Sequence, residues 1–115
     1  MPDTQTNEWI GKSGRAYRYT IYPLPTRFSP GQPGNYVFAK RDADGHWTPL
    51  YIGQGDLNDC ANHHQQTQCL RAKGATHFHC HKAGLEQNRR REEIDLLLNH
   101  PQAHQPAGCN ETPVG

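Results

Sequence analysis

"YIGQGDLNDCANHH" (51–64) decides how this chain is read. Tyr51, Ile52 and Gly53 close a short apolar strand, and the glycines around Gln54 make a turn. Asp56 then stands where a helix needs a side-chain oxygen to cap its first free N–H groups. Leu57, Cys60, Ala61 and His64 follow at i, i+3, i+4 and i+7, the stripe of a helix with one semi-apolar face. That helix is predicted to run to about Gln68, with Cys60 looking back at the strand.

Working outward, "NYVFAKR" (35–41) and "WTPLYIG" (47–53) are predicted strands joined by "DADGH", whose Asp-Gly pair suits a tight hairpin turn. Pro49 has no N–H for a ladder, so it belongs at an edge or a bulge. "RAYRYTIY" alternates Tyr17, Tyr19 and Ile21 against Arg18 and Thr20, the period of a strand. The Pro/Gly-rich "PLPTRFSPGQPG" after it reads as a loop. Residues 1–14 read as polar and frayed. "ATHFHCHKAG" (75–84) is a further short strand, and "LEQNRRREEIDLLLNH" (85–100) a helix stopped by Pro101, with Ile94, Leu97 and Leu98 as its inward face. The tail after it reads as irregular.

The 115 residues suit one domain with a modest core: apolar content is 33%, and 11 glycines and 9 prolines imply long loops. No apolar run approaches the roughly 20 residues of a membrane span. "MPDTQTNEW" lacks the basic and apolar regions of a secretory signal, so a cytoplasmic protein is expected, with Cys60, Cys69, Cys80 and Cys109 as reduced thiols. A net charge of +1 argues against strong electrostatic binding of nucleic acid by the chain as a whole.

Hairpin, helix, strand and glutamate-bearing helix resemble the GIY-YIG nuclease family. "GNYVF" supplies Gly34, Asn35 and Tyr36 as a degenerate first motif, and Tyr51, Ile52 and Gly53 form the second. Glu93 in "EEIDLL" stands where the family has its glutamate, and Asn110 in "PAGCN" where it has a closing asparagine. The resemblance covers about residues 34–110, with 1–33 as an N-terminal extension bearing one strand and 111–115 as a tail. It implies an α/β (α+β) fold: a small mixed or antiparallel three-stranded central sheet flanked by helices, with the extra N-terminal strand added.

The resemblance also implies a divalent-metal-dependent endonuclease acting on DNA. Tyr36 and Tyr51 would position the attacking water, with Gly53 at the strand-to-helix turn. Glu93 would hold one Mg²⁺ or Mn²⁺, and Asn110 and His64 would support the site. The family's phosphate-binding arginine falls at Cys60, a thiol too short for the task, and losing such a donor costs about 10²–10³ in rate. Arg71, Lys40 and Arg89 are the candidates to replace it. A non-catalytic nucleic-acid-binding module of the same fold is therefore the alternative reading. A bare domain of this charge binds DNA weakly, so a protein partner supplying affinity is implied; oligomeric state is left open.

Plainer readings stand beside these. The tyrosines also suit half-buried strand positions, Glu93 an exposed helix paired with Arg89, Asn110 a turn, and Arg89, Arg90 and Arg91 a solvated face. His77, His79 and His81 alternate onto one strand face and, with a cysteine, would make a structural zinc site.

Overall fold

The computed structural model describes residues 5–65 and 67–111, with backbone alone for 64 and 65. The chain runs β1 (Thr6–Ile10), β2 (Ala16–Pro23), β3 (Pro33–Arg41), β4 (Trp47–Asp56), α1 (Leu57–Gln65), α2 (Gln68–Lys73), β5 (His77–Lys82) and α3 (Glu86–Asn99), then a 3-10 turn at Pro101–Ala103. The strands form one five-stranded sheet in the order β1-β2-β5-β3-β4. Every neighbouring pair is antiparallel. The fold is mixed α+β, as expected, but the sheet has five strands rather than three plus one. The N-terminal segment contributes two of them, because residues 6–10, expected to fray, pair with β2. β2 in turn pairs with β5, Thr20 opposite Cys80, so this segment is built into the sheet.

The β3–β4 hairpin forms as predicted. Its turn is closed by Asp42 N–H to the His46 carbonyl at 2.8 Å and Gly45 N–H to the Asp42 carbonyl at 2.9 Å. Phe38 faces Tyr51 but Ala39 faces Pro49, so Leu50 is the extra residue of a bulge beside the proline. β4 is also an edge strand. Pro49 thus sits where its missing N–H disturbs no ladder.

β3 is an inner strand, buried on both faces. Tyr36 and Phe38 enter a core with Leu57 and Ala61 of α1, Leu70 of α2 and Phe78 of β5. Val37 and Ala39 enter another with Trp9, Tyr19, Leu96 and Leu97. Helices therefore cover opposite sides of the sheet, α1 and α2 on one and α3 on the other. Asp56 caps α1 as predicted, accepting from Asp59 N–H at 3.0 Å; its other oxygen accepts from Gly31 and Gln32 N–H. The helix expected from Asp56 to about Gln68 is observed as α1, ending at Gln65, and a second short helix not anticipated in the sequence, α2, begins at Gln68.

Two expectations fail on packing. Ile94 and Leu98 are 41% and 53% exposed, whereas Leu96, Leu97 and Glu92 are buried. α3 is rotated from its expected setting because Glu92 finds two partners, buried Tyr19 and half-buried His81, described below. Cys69 and Cys109 are joined in a disulfide rather than reduced; Cys60 and Cys80 are free. Their Cα atoms stand 6.0 Å apart, the spacing such a bond requires. No helix among the described residues is long and apolar enough to cross a membrane.

Candidate functional site: two tyrosines, a thiol and a carboxylate

Tyr36 stands on β3 directly opposite Gly53 on β4. Its ring lies between two others: Tyr51, nearly parallel at 12° with centroids 6.1 Å apart, and Phe78, at 21° and 5.3 Å. Gly53 makes this possible. A Cβ there would lie 2.5 Å from the Tyr36 hydroxyl oxygen and 2.7 Å from Cζ, so any larger residue would displace the phenol. Gly55 is needed for a second reason: its φ of +145° disfavours a side chain, and a Cβ would come within 3.1 Å of the Cys60 sulfur.

The Tyr36 hydroxyl is hydrogen-bonded to the Cys60 sulfur and to the Tyr51 hydroxyl. Glu93 reaches the same group electrostatically, although it comes from the helix on the other side of the sheet. The Tyr36 and Tyr51 hydroxyls and the Cys60 sulfur thus come together, with Glu93 within electrostatic reach. All four acids are pushed toward their protonated forms. Burial is the main cause for each, and for the tyrosines and Cys60 neighbouring negative charge adds to it. Arg90, which pairs with Glu86 at 2.8 Å, draws the Glu93 carboxyl back down.

Asn110 acts on the backbone. Its Oδ1 accepts from Ile52 N–H at 2.9 Å and its Nδ2 donates to the Ile52 carbonyl at 3.0 Å. The side chain thus pairs with the free edge of β4 between Tyr51 and Gly53, holding the strand that carries both. The side chain of His64 lies outside the described residues.

Of the cations named as replacements, Arg89 has another task. Arg89 donates from Nε to Gln54 Oε1 at 2.9 Å and from Nη1 to the carbonyls of Ala83 and Gly84, fastening the turn into α3. The pairing of Glu93 with Arg89 is therefore not how that guanidinium is used. Arg71 lines an apolar cleft with Leu24, Pro25, Phe38, Leu70 and Ala75. The Lys40 stem lies along Gly74.

Sequence reasoning missed Asn35 and Glu92. Asn35, 1% exposed, donates from Nδ2 to the Arg89 carbonyl at 2.9 Å and so anchors α3 under the first motif. Its place inside that motif was the available signal. Glu92 accepts from the Tyr19 hydroxyl and pairs with His81 Nε2 at 2.6 Å, tying α3 to β2 and β5. Neither partner is near it in the sequence.

The histidines of β5 are not gathered around a metal. His79 accepts from Trp9 Nε1–H at 3.0 Å and packs edge-on to Trp47, His77 packs against Trp47, and His81 pairs with Glu92. Among the described residues no three His, Cys, Asp or Glu side chains are grouped to hold a metal ion. No protein-family model, curated protein or solved structure matches the chain.

Proposed function

We propose that this chain is a GIY-YIG-like domain that hydrolyses DNA phosphodiester bonds slowly with one divalent cation. The observation that carries the reading is the pair of tyrosine hydroxyls meeting over Gly53, with Glu93 in electrostatic reach of both. The strand order β4-β3-β5, with helices following β4 and β5, supports it as well.

The residues suit one Mg²⁺ or Mn²⁺. Glu93 is a partly buried carboxylate whose pKa is raised by that burial, so a cation beside it would offset the cost. A single protein carboxylate leaves such an ion held mostly by water and by substrate phosphate, a common arrangement for Mg²⁺. When bound, the ion would stabilise negative charge on the phosphate and leaving oxygen. Tyr51, half-buried and nearer solvent than Tyr36, orients a water through its hydroxyl. Tyr36 holds that hydroxyl in place while itself hydrogen-bonded to Cys60. Asn110 keeps the β4 backbone in register, and Cys60 supplies no positive charge.

The second reading, a nucleic-acid-binding module without turnover, is favoured by one observation: Cys60 fills the arginine position while Arg89 is committed to Gln54 and two carbonyls. A plasmid-nicking assay with Mg²⁺ or Mn²⁺ separates the two. Slow nicking that disappears in Glu93→Ala, and rises about 10²-fold in Cys60→Arg, is the expected result. Nicking that persists in a folded Glu93→Ala protein would refute the assigned site. Binding without nicking in both wild type and Cys60→Arg would select the second reading.

A further inference from the structure

The outward face of α3 carries Arg91, Ile94, Asp95 and Leu98 at i, i+3, i+4 and i+7, so they form one stripe. It borders a cleft of about 300 Å³ whose other wall is the β1–β2 turn and the start of β2, with Ser13, Arg15 and Tyr17. The wall does not move freely. Asp95 Oδ1 accepts from Ser13 N–H at 2.9 Å, while Oδ2 accepts from the hydroxyls of Ser13 and Tyr17 at 2.7 and 2.8 Å. Lys12 N–H adds a bond to the Asp95 carbonyl at 2.9 Å.

That arrangement has two consequences. Both oxygens of Asp95, the one carboxylate among the described residues lining the cleft, are engaged by the protein itself. Arg15 and Arg91 make no ion pair or side-chain hydrogen bond among the described residues, although Arg15 acts electrostatically on Asp95 and Tyr17. Between them lie two aliphatic side chains one helical turn apart, left 41% and 53% in contact with water. An apolar centre edged by two guanidiniums without a hydrogen-bonded partner among the described residues is complementary to a ligand with aliphatic side chains and flanking carboxylates.

We infer that this cleft docks an acidic amphipathic helix of a partner protein, its aliphatic residues packing on Ile94 and Leu98 and its carboxylates meeting Arg15 and Arg91. A helix suits the spacing because Ile94 and Leu98 are themselves an i, i+4 pair, which the i, i+4 ridges of a second helix can pack against. The inference does not depend on phosphodiester cleavage.

The test uses the full chain and a fluorescein-labelled glutamate–leucine peptide with leucines at i, i+3, i+4 and i+7, read by fluorescence anisotropy. A lysine–leucine peptide of the same leucine pattern is the control. The expected result is saturable binding of the acidic peptide, weakened by salt and by at least tenfold in Arg91→Glu and in Leu98→Ser. Both substitutions are on exposed positions, and unchanged circular dichroism establishes that the variants are folded. Equal binding of the lysine peptide, no loss in the variants, or no binding at all would each overturn the proposal. Sedimentation of the free protein gives a further outcome: concentration-dependent dimerisation abolished by Leu98→Ser would mean that a second copy of this chain covers the stripe instead.

Discussion

His79 is fully buried between two tryptophans, with Nδ1 accepting from Trp9 and Nε2 unpartnered among the described residues. Burial is the main reason its pKa falls from 6.5 to about 3, and the neighbouring His77 adds to it. The folded value lies below the unfolded one, so between them the unfolded chain binds more protons. Stability is then full above pH 6.5 and is lost as pH falls toward about 3. At pH 5 an unfolded imidazole titrating at 6.5 favours its protonated form by about thirtyfold, which lowers the free energy of unfolding by about 2 kcal/mol. That is a large share of the ~5–15 kcal/mol that holds a domain of this size together. His79→Gln removes the titration and retains an amide oxygen that can accept from the Trp9 indole. Urea unfolding followed by tryptophan fluorescence at pH 7 and pH 5 measures the difference directly. Wild type should lose ~2 kcal/mol more than the variant over this interval. His81, whose pKa is raised by its bond to Glu92, contributes in the opposite direction, but it is present in both proteins and cancels. Equal losses in the two proteins would refute a neutral buried His79, as would an NMR titration of its ring with a midpoint near 6.5.

Gly53→Ala should cost ~1–3 kcal/mol by overpacking, because the new methyl lies 2.5 Å from the oxygen of a phenol held between two rings. Gly84→Ala, whose Cβ meets nothing within 4 Å, is the neutral control in the same thermal melts, and matching melts would contradict the packing described. Reducing the Cys69–Cys109 bond opens a loop spanning 40 residues, and the chain-entropy relation puts the loss at about 4 kcal/mol. Dithiothreitol and Cys109→Ser should lower the melting temperature alike, and an unchanged melt under reduction would count against the bond.

What was legible in the sequence is what short-range chemistry decides. The β3–β4 hairpin has its Asp-Gly turn and its proline at a bulge, α1 has Asp56 as its cap, and α3 has Pro101 after its end. The pairing of β2 with β5 joins residues about sixty positions apart, and no local pattern encodes it. The facing of α3 was misread for a similar reason. Ile94 and Leu98 form an apolar i, i+4 pair and so do not differ, as a pattern, from a core stripe. The opposing pair, Glu92 and Leu96, goes inside because Tyr19 and His81 satisfy the carboxylate. That information lies on two other strands. The disulfide was hidden because cysteine count and the N-terminal residues speak to compartment, whereas the bond depends on a loop that returns to β4. Within the candidate site, Tyr36, Tyr51, Gly53 and Glu93 were named from the resemblance, while the fastening by Asn35 was not, since the departure from the motif was read only as degeneracy.

The thiol at position 60 then has a physical reading. Tyr36, Tyr51, Cys60 and Glu93 each hold their proton more tightly than in water, burial being the largest cause. Of the four, only Glu93 has an ordinary pKa low enough to carry charge near neutral pH, and its charge adds to what makes ionising the three others harder, after Asp56 and Asp59 in the case of Cys60. A cation in this cluster, whether a guanidinium reaching in from α1 or a divalent ion at the carboxylate, would act in the same electrostatic direction on every member. Cysteine instead fits the small space beside Gly55 and takes a hydrogen bond with Tyr36, which orders the phenol without changing the charge. Order and charge are thus separable here: the fold keeps the tyrosines aligned with no arginine at position 60, and under the proposed function an ion or a substituted side chain would add the charge a phosphodiester needs. That is why Cys60→Arg tests catalysis and Gly53→Ala tests alignment, and why the two substitutions should fail in different ways.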